Sequence, residues 1–188
     1  MNTPSHYIVN FALLGKTFGA EYKIPMIIGS ILPDIPIFIF YFFAKFVLQI
    51  PSEKIWSQAY YEPFWQDLIA FFHSFPIAII GLVICLGFGW KSIAVLFISM
   101  IIHDLCDFPV HNDDAHRHFF PFSNYRFISP ISYWDPKHYG KYVAFGEMSL
   151  VIGLTPIVLS LLSTNFSQII VVIIDCLYLV GYFRFYLF

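Results

Sequence analysis

The sequence predicts an all-α fold: a polytopic integral membrane helical bundle with five to six transmembrane helices. Three observations predict it. Of the 188 residues, 59% are hydrophobic and only 12% are charged, about half the charged share of a soluble domain. Mean hydropathy is +0.72. The apolar residues collect into five runs, 24–50, 68–89, 92–110, 143–162 and 166–188, each able to cross ~30 Å of hydrocarbon with roughly 20 helical residues. No repeat, low-complexity tract or linker divides them, so residues 1–188 are expected to form a single transmembrane domain.

Taken in order, the chain opens Met1-Asn-Thr-Pro-Ser-His. That start lacks a basic n-region and a cleavage site, which argues against a cleaved signal peptide. Residues 4–20 form a weaker helical segment, with Thr3 as a candidate N-cap and Pro4 at the first helical position. Asn10 and Lys16 leave it either a sixth, poorly hydrophobic crossing or an interfacial helix. In the run 24–50, Pro33 and Pro36 bracket Asp34 and predict a break there, which a membrane tolerates where the break lines a cavity. The run 68–89 contains a fresh helical start, Ser74 as cap with Pro76 in the first turn. Pro109 closes the run 92–110, because it disfavours helix at Phe108 and removes a backbone donor.

The connections alternate in length. Residues 87–91 and 163–167 are tight, whereas 51–67 and 111–142 are long, polar and aromatic, the second reading as an ordered loop. Alternation puts both long connections on one side, together with His73, His103 and Asp107. His6 joins them only if residues 4–20 also cross, which favours six crossings. Lys54, Arg117, Arg126, Lys137, Lys141 and Arg184 lie on that side against Lys23 and Lys91 opposite, so the positive-inside tendency makes the long-loop side cytoplasmic.

The chemistry concentrates between His103 and His118, a run holding four of the seven histidines together with Asp104, Asp107, Asp113 and Asp114. His103 and Asp107 are four apart and therefore point the same way on a helix. Neutral imidazole and ionised carboxylate are donors for Zn²⁺, Mn²⁺ or Fe. A divalent metal, Zn first, is the expected shared partner, with His111 as a further ligand on the exit from the helix. The plainer alternative is a polar pair satisfying itself at a helix end.

Three distant residues offer to complete the set, each with an alternative. Asp34 is either a carboxylate ligand that bridges two metals or a protonated acid bonded to a freed carbonyl, since an isolated charge there is costly. His73, alone in its span, is either a ligand or a satisfied core histidine. His6, in a first helical turn, is either a ligand or simply solvated. Asp104, just off the ligand face, and Asp113 and Asp114 are the candidates for general base. Arg117 and Arg126 carry planar forks suited to phosphate, or else they contact anionic lipid. Glu147 at the start of its span suits the helix dipole, and Asp175 either bonds a neighbouring helix or supports a ligand histidine. No role is assigned to His116, His118 or His138.

Several classes are excluded or disfavoured. A net charge of −2 offers no basic face to nucleic acid. Cys85, Cys106 and Cys176 sit in apolar segments and read as buried small residues rather than a disulfide framework. Ser129 and Ser132 lack a nucleophile-elbow pattern. A di-iron membrane hydroxylase needs more histidines, in denser boxes. An ion or proton carrier would need a relay across the whole bilayer, and a structural membrane protein remains the non-enzymatic alternative.

Taken together, the order His6, Leu32-Pro33-Asp34, His73-Ser74 and His103-x-x-x-Asp107 resembles the bacterial family of membrane-bound metal-dependent hydrolases, the LexA-regulated inner-membrane hydrolase group. The same order is similar to that of the soluble, all-helical zinc-dependent phospholipase C and its nuclease relatives. The resemblance implies that His6, Asp34, His73, His103 and Asp107 bind metal, that an activated water attacks an ester, most naturally a phosphoester, and that the membrane is the bacterial inner membrane. The location of the site just below the headgroups, and that alone, suggests a lipid or lipid-linked substrate. Two departures stand out. Pro36 replaces the second acid of the family's Leu-Pro-Asp-Ile-Asp, and no later His-x-x-x-Glu exists to build a further zinc site. Residues 126–140 resemble a subgroup of small bacterial membrane proteins, some labelled for cobalamin biosynthesis, but no residue here speaks for corrin chemistry.

Overall fold

Helices carry all of the regular structure in the computed structural model, which describes residues 1–187; Phe188, the end of the last apolar run, lies outside the described residues. Helix α1 (Thr3–Phe18) starts with Pro4 in its first turn and stops at Gly19, whose φ of 83° suits a residue without a side chain. Thr3 does not cap it. The helix begins at Thr3 itself, one residue before the expected start at Pro4, and the Thr3 hydroxyl instead donates to Asp34 Oδ2 at 2.5 Å.

The run 24–50 becomes α2 (Lys23–Ile31) and α3 (Ile35–Phe42), joined by a single tight turn at Leu32–Asp34. That is the break the two prolines predicted. Short α4 (Ser52–Ser57) leads to α5 (Pro63–Phe72) and α6 (Phe75–Gly87), which meet at a 42° bend. At the bend, Ser74 accepts from the Ile77 N–H at 3.2 Å and donates to the Phe120 carbonyl at 2.5 Å. Helix α7 (Lys91–Asp107) ends just before Pro109. After a long connection come α8 (Gly140–Leu161) and α9 (Asn165–Tyr182), the latter capped by Thr164.

Three stretches are long and apolar enough to cross a membrane: Lys23–Val47, Gly140–Leu161 and Asn165–Leu187; a fourth appears if bent α5 and α6 count as one. The expected number was five to six. The difference comes from α1 and α7, whose helices stop at 16 and 17 residues. The outward faces are apolar, and only 11% of the Asn165–Leu187 window is buried within the protein.

Helix α1 is central, burying Ile8, Phe11 and Leu14 against Met26 of α2, Val95 of α7, Val151 and Val158 of α8, and Val171 and Ile174 of α9. A polar tie runs through this core. Asn10 donates to the Ser99 carbonyl and hydroxyl at 2.7 and 2.8 Å, and the Ser99 hydroxyl donates to the Met26 carbonyl at 2.7 Å. Backbones approach closely where Gly29 of α2 meets α7, since a Cβ there would stand 2.3 Å from the Leu96 carbonyl oxygen. A second, aromatic core joins α3, α4 and α5 through Phe40, Ile55, Tyr60 and Ile69.

The connection between α7 and α8 is ordered by backbone hydrogen bonds. Phe75 N–H donates to the His118 carbonyl, Ser129 N–H to the His111 carbonyl and Tyr133 N–H to the Val110 carbonyl, at 2.9 to 3.0 Å. It therefore covers the end of the bundle where α1 begins, α6 begins and α7 ends.

Candidate metal centre

Beneath that cover the distant residues meet. Asp34, from the turn between α2 and α3, His73, from the bend between α5 and α6, and His103 and Asp107, from the last turn of α7, each offer one donor atom, all within 4.8 Å of one another. Every one of these positions is set by a helix end or break, so the four segments can aim side chains inward without stacking backbone into the same space.

The histidines are oriented from behind. His103 Nδ1 lies 2.8 Å from the Ser30 carbonyl and His73 Nδ1 lies 3.1 Å from the Ile69 carbonyl. A carbonyl can only accept, so each ring carries a proton on Nδ1, and in its neutral form it presents a lone pair on Nε2. Those Nε2 atoms face carboxylate oxygens: His103 to Asp107 Oδ2 at 3.1 Å and to Asp34 Oδ1 at 3.6 Å, His73 to the same two at 3.8 and 3.6 Å. None of these approaches is a hydrogen bond in direction. His73 Nε2, His103 Nε2 and Asp107 Oδ2 are buried with no hydrogen-bond partner. Lone pairs gathered this closely are repulsive unless a proton or a cation lies among them, and two imidazoles with two carboxylates neutralise a charge of +2. The residues present fit a divalent metal.

Asp107 turns its other oxygen the opposite way. Oδ1 faces His6 Nε2 at 3.0 Å and His111 Nε2 at 3.3 Å, and it accepts from the Met1 amine. Asp107, His111 and His116 form a second group able to hold an ion. His111 is braced in its turn by Asp114, whose Oδ2 lies 3.0 Å from Nδ1. Burial raises the Asp114 carboxyl, but the hydrogen bonds of His111 and Trp134 outweigh it and hold it below the ordinary carboxylate value. Burial, with His73, His111 and His118 alongside, holds the His116 imidazole well below its ordinary value, and burial pushes His118 down to about 3. Both rings are therefore neutral donors at pH 7. His6 stacks on His103 with centroids 3.6 Å apart and belongs to neither convergent group.

Asp34 of the first group, and His111 and His116 beside it, line a cleft of about 940 Å³ together with Glu53, Trp56, Tyr61 and Asp113, whereas His73, His103 and Asp107 are buried and outside that lining. Its walls come from both long connections, which thus lie at the same end of the bundle. Asp113 and Asp114 line it. Asp104 does not; it is fully buried with neither oxygen hydrogen-bonded. Arg117 and Arg126 also stand outside the lining. Arg117 bonds Asp67 at 2.6 Å and Asn124 at 3.0 Å, and Arg126 bonds Gln66 at 2.7 Å and the Ala115 carbonyl at 3.1 Å.

Sequence reasoning left His116 and His118 without a role. The structure stacks His116 on His73 at 4.0 Å and anchors His118 Nδ1 to the His73 carbonyl at 3.0 Å. The only signal for them was histidine density, because a loop has no periodicity to project. Glu147 is the hub of another network, accepting from Asn2 N–H, the Ser5 hydroxyl and the Tyr178 hydroxyl. Asp175 bonds Thr155 of the neighbouring helix at 2.9 Å, and His138 pairs with Asp135 at 2.7 Å.

Compared with protein-family models, with curated proteins and with solved structures, this chain matches none. The chemistry of the cleft therefore carries the functional reading.

Proposed function

We propose that this protein is a membrane-embedded, metal-dependent hydrolase, with one divalent cation held by Asp34, His73, His103 and Asp107 and a phosphoester of a lipid or lipid-linked molecule as substrate. One observation carries the reading: three buried donor atoms, on His73, His103 and Asp107, have no hydrogen-bond partner, and these residues with Asp34 each offer an atom within 4.8 Å of the others. Zn²⁺ suits the mixed nitrogen and oxygen set best, with Mn²⁺ or Fe as the next choices. Such a cation, when bound, lowers the pKa of water towards ~7 and polarises the scissile group.

The protein residues divide the remaining work. Asp113, on the cleft wall and exposed to it, is the general base that takes the water's proton. Asp114 is spent on His111 and Trp134, and it holds the ring of His111 towards Asp107. Arg117 and Arg126 brace the cover rather than the substrate. Asp107, His111 and His116 would be able to hold a second cation. Six crossings complete the reading, with α1 and α7 as short spans, the cleft at the cytoplasmic surface and the bacterial inner membrane as the site of action.

Metal analysis of purified protein tests this directly. Wild type is expected to carry stoichiometric divalent metal, and His103→Ala or Asp107→Ala to lose it. A metal-free wild type sinks the proposal, and stoichiometric metal without hydrolysis of lipid phosphoesters sinks the enzymatic half of it.

A further inference from the structure

Beside the metal cleft lies a second cavity, of about 550 Å³, that no step above uses. It lies between α8 and α9, lined by Ala144, Leu177, Tyr178, Gly181 and Phe185. Asn2, Tyr133 and Trp134 line both this crevice and the metal cleft, so the two share a wall. Trp134 is fastened from both sides: its indole N–H donates to Asp114 at 3.3 Å, and its carbonyl accepts from the Tyr186 hydroxyl at 3.1 Å.

The crevice has two unlike ends. Its lips, Leu177 and Phe185, are 63% and 80% exposed on a stretch long and apolar enough to cross a membrane. Water gains nothing by filling a slot of that kind, whereas an acyl chain fits both its walls and its surroundings. Deeper in, the lining includes Glu147, with Asn2, Tyr178, Tyr182 and Tyr186 among its other polar residues. Its volume lies within the ~300–1,000 Å³ of small-molecule sites.

We propose that this crevice seats the acyl chain of a membrane lipid, with the polar end of that lipid passing the Tyr133–Trp134 wall into the metal cleft. The substrate class is then an acyl-chain phospholipid that enters sideways from the bilayer. The hydrolytic fate of the lipid rests on the proposed function; the seat for its chain does not.

The probe is a phospholipid carrying a photoactivatable diazirine on its acyl chain, mixed at increasing mole fraction into vesicles that hold the full-length protein. Adducts are mapped by peptide mass spectrometry. In wild type, adducts on residues 177–185 saturate, whereas those on the outer face of α8 rise linearly with probe. A linear rise at 177–185 means bulk lipid only and overturns the seat. Gly181→Phe fills the crevice without strain, because a Cβ there meets nothing within 4 Å. It should cut the saturable adducts by about tenfold or more, as expected when a preformed site is plugged. Gly153→Phe, at an equally open position on α8 outside the crevice, should leave them unchanged; equal losses in both variants also overturn the seat. Metal analysis of the same samples separates the two readings. Saturable labelling of a metal-free wild type removes the hydrolase and keeps the seat, and linear labelling of a metal-loaded one removes the seat alone.

Discussion

Asp107 is the residue on which the centre turns, because its two oxygens serve different donors: Oδ2 faces His103 and His73, and Oδ1 faces His6 and His111. Asp107→Asn keeps the volume and removes the charge, leaving two imidazoles and one carboxylate around a divalent ion. Metal content measured by mass spectrometry should fall by roughly tenfold or more, the range seen even when supporting residues of metal ligands are lost. His116→Ala removes a donor from the second group alone, while also removing the ring stacked on His73 of the first. If that group holds an ion, the variant loses one equivalent and keeps the other; an unchanged metal content denies the second site. Asp113→Asn should retain metal and lower turnover of a lipid phosphoester by about 10²-fold or more, the usual contribution of a positioned base. Full turnover in that variant would remove Asp113 from the chemistry. The i, i+4 pair His103 and Asp107 was legible in the sequence because a helix projects that spacing onto one face. His116 was not, because Pro109 ends the helix and the loop beyond it is shaped by hydrogen bonds between distant backbone groups, such as Phe75 to His118.

At the scale of elements, the breaks were legible and the lengths were not. Pro33 and Pro36, Ser74 and Pro76, and Pro109 each mark where the structure interrupts a helix, and each interruption brings a candidate ligand into the cluster. The apolar run 92–110 overstates α7, because Phe108, Pro109 and Val110 beside the site leave the helix while remaining hydrophobic. What holds these elements in register is the contact of α2 with α7, where Gly29 lies against the Leu96 carbonyl and the Ser99 side chain. Gly29→Ala would normally favour a helix by up to ~1 kcal/mol. Here the new methyl would stand 2.3 Å from a backbone oxygen that cannot swing aside. Separating the helices should therefore destabilise the fold by about 1–3 kcal/mol, the usual penalty of overpacking. Gly153→Ala, facing open space on α8, is the matched control and should not lower the midpoint. Thermal unfolding in detergent checks the pair, and a Gly29→Ala midpoint at or above that of Gly153→Ala would deny the close approach.

For the whole molecule, the decisive relation is that both long connections wall one cleft, while the tight turns before α7 and before α9 lie away from it. If α6 and α7 each cross the bilayer, a position in the first long connection and one in the second must share a side, and the turn between α6 and α7 must face the other. Gln58 and Ser123 sample the long connections, and Lys91 and Asn165 the tight ones; all four are exposed. Each is changed to cysteine in turn, in a background where Cys85, Cys106 and Cys176 are replaced by serine or alanine. A membrane-impermeant maleimide then reads the side. Gln58→Cys and Ser123→Cys should label together in inside-out vesicles, and Lys91→Cys and Asn165→Cys together in right-side-out vesicles. The lysine and arginine excess on the long-loop side sets that polarity. Labelling of Lys91→Cys from the same side as Ser123→Cys would mean that the 17 residues of α7 do not cross. The cluster at its end would then lie away from the surface where a lipid phosphoester meets water, and the site would lose its access to a membrane substrate.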